Sequence, residues 1–293
     1  MIVDFGKDYE LIDCGDFEKL ERFGQYVLRR PEPQAVWPKA LPESLWQAAD
    51  ACFKRSSNQA GEERGQWMKR SSMPDQWWIS YRPQDMNLRM RLGMTSFKHV
   101  GIFPEQAYNW DFIYEHLKKF SQSNSQPPKM LNLFAYTGGA SLAARAAGAD
   151  VTHLDAVKQV LNWAHENMEA SSLDNIRWML EDALQYVRRE AKRGKRYQAI
   201  IMDPPAYGRG PKGEKWILEE GIAPLMEACA QLLDEHALLI LNLYSMGFSS
   251  WVADNLIRCY FPQAKQIEQG DLSFTDRAGR RLPLSVYARF VNE

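Results

Sequence analysis

The chain has 293 residues and a net charge of −1 at 33.8 kDa, room for one large domain or a catalytic domain with a smaller companion. Hydrophobic residues at 45% and charged residues at 25% exclude a disordered chain. The near-neutral total gives no global pull toward a polyanion. A nucleic-acid partner must therefore be met by local clusters such as Arg188-Arg189 with Lys192-Arg193 and Lys195-Arg196, Arg209 with Lys212 and Lys215, or Arg277 with Arg280-Arg281.

Cys14, Cys52, Cys229 and Cys259 are scattered, with no Cys-x-x-Cys pair and no His cluster at zinc spacing. No metal site is expected, and reduced thiols suit the cytoplasm. The first residues carry Asp4, Lys7, Asp8 and Glu10 and lack the apolar core of a secretory signal. No window approaches the roughly 18 apolar residues of a membrane span.

In chain order, Arg30-Pro31-Glu32-Pro33 through Trp37-Pro38 to Pro42 reads as an extended crossing segment. Leu45, Ala49, Cys52 and Phe53 recur at helical spacing, and Trp77 to Tyr81 and Leu88 to Leu92 read as strands, the second strictly alternating. These elements predict a small α+β N-terminal module over residues 1–97. The polar stretch Ser121 to Lys129, with Pro127-Pro128 near its end, reads as a loop leading into a new strand.

From there strands and helices alternate, and the second domain is predicted to span 98–293. Strands are expected at Met130 to Ala135, Val151 to Asp155, Ile176 to Leu180, Tyr197 to Asp203 and Ala237 to Tyr244. The intervening helices are expected at Ser141 to Ala147, along Val157, Val160, Leu161, Ala164 and Met168, at Ala183 to Arg193, and at about Leu218 to Leu233. Helical connections between apolar strands imply a doubly wound, mostly parallel sheet. After a helix around Trp251 to Cys259, the runs Gln266 to Thr275 and Leu282 to Val291 flank Asp276-Arg277-Ala278-Gly279-Arg280. They predict a closing antiparallel hairpin, which the methyltransferase variant of this fold has and the usual dinucleotide-binding variant lacks.

Ligands of such a sheet lie beyond the carboxyl ends of its strands. That singles out Phe134 and Tyr136-Thr137-Gly138-Gly139, Asp155 with Ala156, Glu181-Asp182 with Ala183, and Asp203-Pro204-Pro205. Thr137 is expected to cap the next helix, and the glycines to let bare amides approach a carboxylate such as that of a methionyl group. Asp155, about 17 residues beyond Gly138, suits ribose hydroxyls. Asp182 is placed to accept from an exocyclic amine such as adenine's. A nicotinamide cofactor expects Gly-x-Gly-x-x-Gly, and the first glycine is missing from Phe134-Ala135-Tyr136-Thr137-Gly138-Gly139.

Asp203-Pro204-Pro205 closes an apolar strand, and paired prolines fix the backbone where a carbonyl and a carboxylate would hold a planar amine or ring. Tyr207 is placed to stack on a base or to pack its loop, and Arg209 and Lys212 to meet phosphate or solvent. Methyl transfer from a sulfonium is an in-line displacement whose electrophile the cofactor supplies. The protein aligns and desolvates the acceptor, so no large catalytic apparatus is required.

The segments Leu131-Asn132-Leu133-Phe134-Ala135-Tyr136-Thr137-Gly138 and Met202-Asp203-Pro204-Pro205-Ala206-Tyr207 resemble the bacterial large-subunit (23S) rRNA methyltransferases of the I and K types. Lys98-His99-Val100-Gly101-Ile102-Phe103-Pro104-Glu105-Gln106 is similar to the segment of that family that closes over the cofactor. The resemblance covers about Leu88 to Phe290. It implies a Rossmann-like class I methyltransferase fold, S-adenosyl-L-methionine as cofactor with Gln106 among its contacts, and a base in structured RNA as substrate.

Two departures stand out. The family's PUA-type RNA-binding module is not recognisable in the chain. Members that methylate carbon 5 of cytosine carry a cysteine nucleophile after the fifth strand, where this chain reads Leu243-Tyr244-Ser245-Met246-Gly247. Family members of the guanine type act at a ring nitrogen and need no such nucleophile. Methylation of a protein or small molecule, and a noncatalytic cofactor-binding role, stay open at this point, as does a homodimer.

Overall fold

The computed structural model describes residues 3–56, 64–83, 85–244 and 247–292. They form two compact units, Met1–Glu105 with Ser273–Leu284, and Gln106–Leu272 with Ser285–Glu293. The division thus falls at Glu105/Gln106, where the sequence suggested 97/98, and the tip of the terminal hairpin counts with the first unit.

The first unit contains β1 (Tyr9–Gly15), β2 (Glu18–Phe23), β3 (Tyr26–Pro31), α1 (Glu43–Gln47), β4 (Ala51–Arg55) and β5 (Gly65–Lys69), with the five strands in that order in one sheet. β6 (Gln76–Tyr81) and β7 (Leu88–Gly93) pair as a separate antiparallel ribbon. The helix expected along Leu45, Ala49, Cys52 and Phe53 is only the short α1, and Cys52 and Phe53 lie on β4. Their apparent helical spacing joins one helical turn that buries Trp46 to a strand that buries Ala51 and Phe53. The Pro-rich segment that follows β3 is free of helix through Pro42.

β1 to β3 were hidden by charge. Glu21 and Arg30 are buried as an ion pair at 2.6 Å, and the Tyr9 hydroxyl donates to Glu21 at 2.9 Å. Each charge has a partner, which is the condition for burying it. Around them Phe5 packs on Tyr81 with centroids 4.4 Å apart, and Tyr9 packs on Phe23 at 5.0 Å.

The second unit begins with α2 (Ala107–Ser123), which packs on α3 (Gly139–Ala146). The polar loop after Ser123 therefore lies within one unit. β8 (Lys129–Leu133), β9 (Asp150–Asp155), β10 (Ile176–Leu180), β11 (Tyr197–Met202) and β14 (Leu233–Leu243) are parallel neighbours, linked through α4 (Lys158–Ala170), α5 (Ala183–Lys192) and α6 (Leu218–Ala230). A small hairpin, β12 (Tyr207–Arg209) and β13 (Lys215–Ile217), precedes α6. After α7 (Ser250–Tyr260), β15 (Glu268–Thr275) and β16 (Arg281–Asn292) complete the sheet, β16 running antiparallel to β14.

The strand order is β10-β9-β8-β11-β14-β16-β15. The doubly wound expectation with its closing hairpin holds. Helices cover both faces, so an inner strand such as β11 runs apolar along its length: Ala199, Ile200, Ile201 and Met202 are all buried. The chain reverses direction of winding between β8 and β11, the switch point where such sheets bind ligands. Among the described residues no helix is long and apolar enough to cross a membrane.

Gly139 shows how tightly this unit is packed. A Cβ there would lie 2.3 Å from the Trp110 ring, so the residue is small because α2 presses on α3. Gly139→Ala is expected to cost about 1–3 kcal/mol through overpacking, read as a lowered thermal midpoint. An unchanged midpoint would mean that Trp110 has room to move.

Candidate active site

Register brings the strand-end groups together. Leu133 lies beside both Leu154 and Met202, and Asp155 beside Leu180. The residues that follow, Phe134, Asp155, Glu181-Asp182 and Asp203, therefore emerge at the same edge of one sheet.

The turn after β8 is held in an unusual conformation. Phe134, Tyr136 and Gly138 have φ of 56°, 50° and 96°, and for the two aromatic residues this left-handed geometry costs about 1–2 kcal/mol each. The surroundings over-determine it. The Tyr136 amide donates to Asp155 Oδ2 at 2.9 Å, the Ala135 amide to the Leu154 carbonyl at 3.0 Å, and Asn167 Nδ2 to the Thr137 carbonyl at 2.9 Å. Thr137, which the sequence suggested as the cap of α3, stands one residue before the N-cap position. Gly138 is the N-cap, and Thr137 is buried.

Asp155 also accepts from the Val157 amide through Oδ1 at 3.0 Å. Each carboxylate oxygen has a second lone pair, so the group can hold two backbone amides and still accept from a diol. Burial pushes its carboxyl above the usual aspartate range, against the amides of Tyr136, Val157 and Ala156, which lower it. Ala156 follows on the same partly exposed loop.

Asp182 caps α5, its Oδ1 accepting from the Gln185 amide at 2.9 Å, and Ala183 behind it is buried. Glu181 pairs with Arg189 at 2.8 Å. Gln106, buried at the start of α2, donates to the Tyr244 hydroxyl at 3.0 Å and accepts from Asn109 at 3.0 Å. Asn109 in turn donates to Asn242 on β14 at 2.9 Å, which ties Gln106 to the fifth strand end.

Beyond β11, Pro204 is buried, while Pro205 and Tyr207 are exposed, Tyr207 by 54%. The sequence reading missed the residue that holds this loop. Trp216 on β13 donates its indole N–H to the Pro205 carbonyl at 2.7 Å, and its ring packs on Phe134 with centroids 4.8 Å apart. It thus connects the Asp203-Pro204-Pro205 loop to the turn after β8. Gly208 opposes Trp216 across the hairpin, while Tyr207 opposes Ile217 and Arg209 opposes Lys215. One hairpin face is an anchor, and the other carries an aromatic ring and two cations.

A second unforeseen cluster lies under the turn. Asn132 donates to Ser141 Oγ at 2.9 Å, and Ser141 Oγ meets His153 Nδ1 at 2.9 Å. Since Asn132 can only donate through its amide nitrogen, the Ser141 hydroxyl proton points to His153. Burial pushes His153 down to about 3, so the floor of the turn is uncharged.

Cysteine is not available in this unit as a nucleophile close to these loops. Cys229 is buried in the α6 core with its thiol pushed up by burial, and Cys259 lies on α7. Of the segment after β14, Ser245 and Met246 lie outside the described residues.

The family model described as S-adenosylmethionine-dependent methyltransferase matches residues 59–227. The crystal structure of the SAM-dependent methyltransferase from Agrobacterium tumefaciens is 34% identical, covers 100% of this chain and 93% of its own, and superposes with a TM-score of 0.88. The ribosomal RNA large subunit methyltransferase K of Neisseria meningitidis serogroup B is 23% identical over 252 residues, 83% of this chain and 66% of that protein. A K/L enzyme of Shewanella frigidimarina is 26% identical over 163 residues, 54% of this chain and 22% of its own length. The chain thus spans less than two thirds of these two curated relatives. A match over more than half the chain, joined to a sheet whose strand ends gather Phe134, Asp155, Asp182 and Asp203, makes this chain a member of the S-adenosylmethionine-dependent methyltransferase family.

Proposed function

We propose that this methyltransferase transfers a methyl group to a base in RNA, with 23S rRNA as the substrate and the cytoplasm as the place of action. The observation that carries the reading is the loop Asp203-Pro204-Pro205, anchored through Trp216 beside the turn after β8 and followed by the exposed Tyr207, Arg209 and Lys215. An aromatic ring with flanking cations suits a base and its phosphates. The similarity to ribosomal RNA large subunit methyltransferases supports ribosomal RNA.

In this reading Phe134, Tyr136, Thr137 and Gly138, at the amino end of α3, receive the methionyl part of the cofactor. Asp155 and Ala156 receive the ribose, and Asp182 and Ala183 the adenine, with Gln106 closing the site. The cofactor supplies an electrophilic methyl group on a sulfonium. Asp203, Pro204, Pro205 and Tyr207 hold the base in line with it, and the Asp203 carboxylate accepts hydrogen bonds from the ring edge. With no cysteine in the segment Leu243-Tyr244-Ser245-Met246-Gly247 directly after β14, the accepting atom is one with its own lone pair, such as a ring nitrogen.

Calorimetry with Asp155→Ala is expected to show S-adenosylmethionine affinity reduced at least about tenfold, the scale of lost hydrogen bonds to a charged group. Because the folded carboxyl titrates above the ordinary aspartate range, wild-type affinity should fall on acidification as the anion is lost, earlier than for an exposed aspartate. Asp155→Asn should flatten that dependence. Unchanged affinity in the alanine variant would remove the ribose assignment.

Asp203→Ala is expected to bind cofactor normally yet lose tritium transfer from labelled S-adenosylmethionine to 23S rRNA. Trp216→Phe, which keeps a ring but loses the N–H, should lower kcat about threefold to tenfold with cofactor affinity intact. Undiminished turnover in the first would remove its catalytic role, and in the second the positioning role of the indole. If the wild-type chain methylates a protein or small molecule and binds rRNA with no salt dependence, the substrate reading fails.

A further inference from the structure

The β6–β7 ribbon of the first unit has a buried face and an exposed one. Trp77, Ile79, Tyr81, Leu88, Met90 and Leu92 are buried, and the Trp77 indole donates to the Phe23 carbonyl at 3.2 Å. Directly opposed residues of an antiparallel pair share a face. The register opposes Trp78 to Arg91 and Ser80 to Arg89, so these four share the outer side, Trp78 and Arg89 exposed and Ser80 and Arg91 half-buried.

That side has the chemistry of a strand-binding surface. Trp78, a large indole, is 38% exposed, and the Arg89 guanidinium lies 5.1 Å from its ring centroid. Arg82, just beyond β6, is held by Ser80 Oγ at 3.2 Å and Asn87 Oδ1 at 3.0 Å. Residues 76–93 contain three arginines and one carboxylate, Asp85, which sits in the connecting turn. A second pair repeats the pattern, Arg64 just before β5 lying 6.0 Å from the ring centroid of Phe97, which follows β7 and is 42% exposed.

We infer that the outer face of β6–β7 is an RNA-contact surface that shares no residue with the methyl-transfer site. It holds an unpaired RNA segment through phosphates on Arg89 and Arg91 and a base stacked on Trp78. Planar guanidinium groups bind phosphate in a fixed fork, and an exposed indole is a platform for any base. A ribbon with cations and an aromatic ring on one face, and no acid on either strand, complements a polyanion with bases. The inference rests on the RNA reading above and adds where the RNA body is gripped.

Fluorescence anisotropy with a fluorescein-labelled oligouridylate tests it on the full chain, for wild type, Trp78→Ala and Arg89→Glu/Arg91→Glu. The double variant should bind at least tenfold more weakly, with the slope of log affinity against log salt reduced by about 1.4, from roughly 0.7 per phosphate of a single strand. Trp78→Ala should lose at least about fivefold with its slope intact. Cofactor titration must match wild type in each, and Arg89→Gln replaces the double variant should that fail to fold. Wild-type binding with both variants unchanged overturns this inference alone, whereas a wild type that binds neither oligouridylate nor 23S rRNA removes the RNA reading with it. Binding of polyglutamate that is tighter than that of RNA and lost in the variants would mark an acidic-protein surface and overturn the proposal.

Discussion

The carboxylate of Asp155 joins two loops that the sheet sets side by side. One oxygen takes the Tyr136 amide and the other the Val157 amide, so the turns after β8 and β9 share one anion as their common anchor. The conformation of the first turn depends on it. Two aromatic residues at positive φ would relax toward ordinary backbone unless their amides and rings were held. A carboxylate that had to leave water for this task is destabilised as an anion, which is the physical origin of its raised titration.

The remaining supports fit around that anchor without competing with it. Asn167 holds the Thr137 carbonyl from α4, and Trp216 holds Phe134 from the opposite side while gripping the Pro205 carbonyl. Beneath, His153 is held uncharged by burial and meets Ser141 through Nδ1, so no cation under the turn draws Asp155 away. The result is that the turn after β8 and the Asp203-Pro204-Pro205 loop are tied to one another by an indole. Methyl transfer requires alignment of two reactants more than acid–base chemistry, and in the proposed reading the coupling of these loops is what meets that need.

The second unit was largely legible because its signal is simple. Buried parallel strands such as Ala199-Ile200-Ile201-Met202 are continuous apolar runs, and amphipathic helices such as Val157 to Met168 have a clear period. The strand-end rule then selects Asp155 and Asp203 from the sequence. What stayed hidden depended on long-range partners. β1 to β3 carry buried Glu21 and Arg30, whose pairing no local pattern reveals. Trp216 carries no local signal of its role, since it acts through Pro205 across a hairpin and through Phe134 far earlier in the chain. Gly139 looked like a ligand-approach glycine and proved to be a packing requirement of Trp110. Asn167 left a faint trace, a polar residue within the buried stripe of α4 beside Ala164 and Met168.

The central claim, a methyl group placed on a base of 23S rRNA, is most directly tested by nucleoside mass spectrometry of that RNA from cells with and without the gene. The account predicts that one methylated nucleoside disappears from the deletion strain and returns with the wild-type gene. Identical modification profiles in the two strains would contradict it.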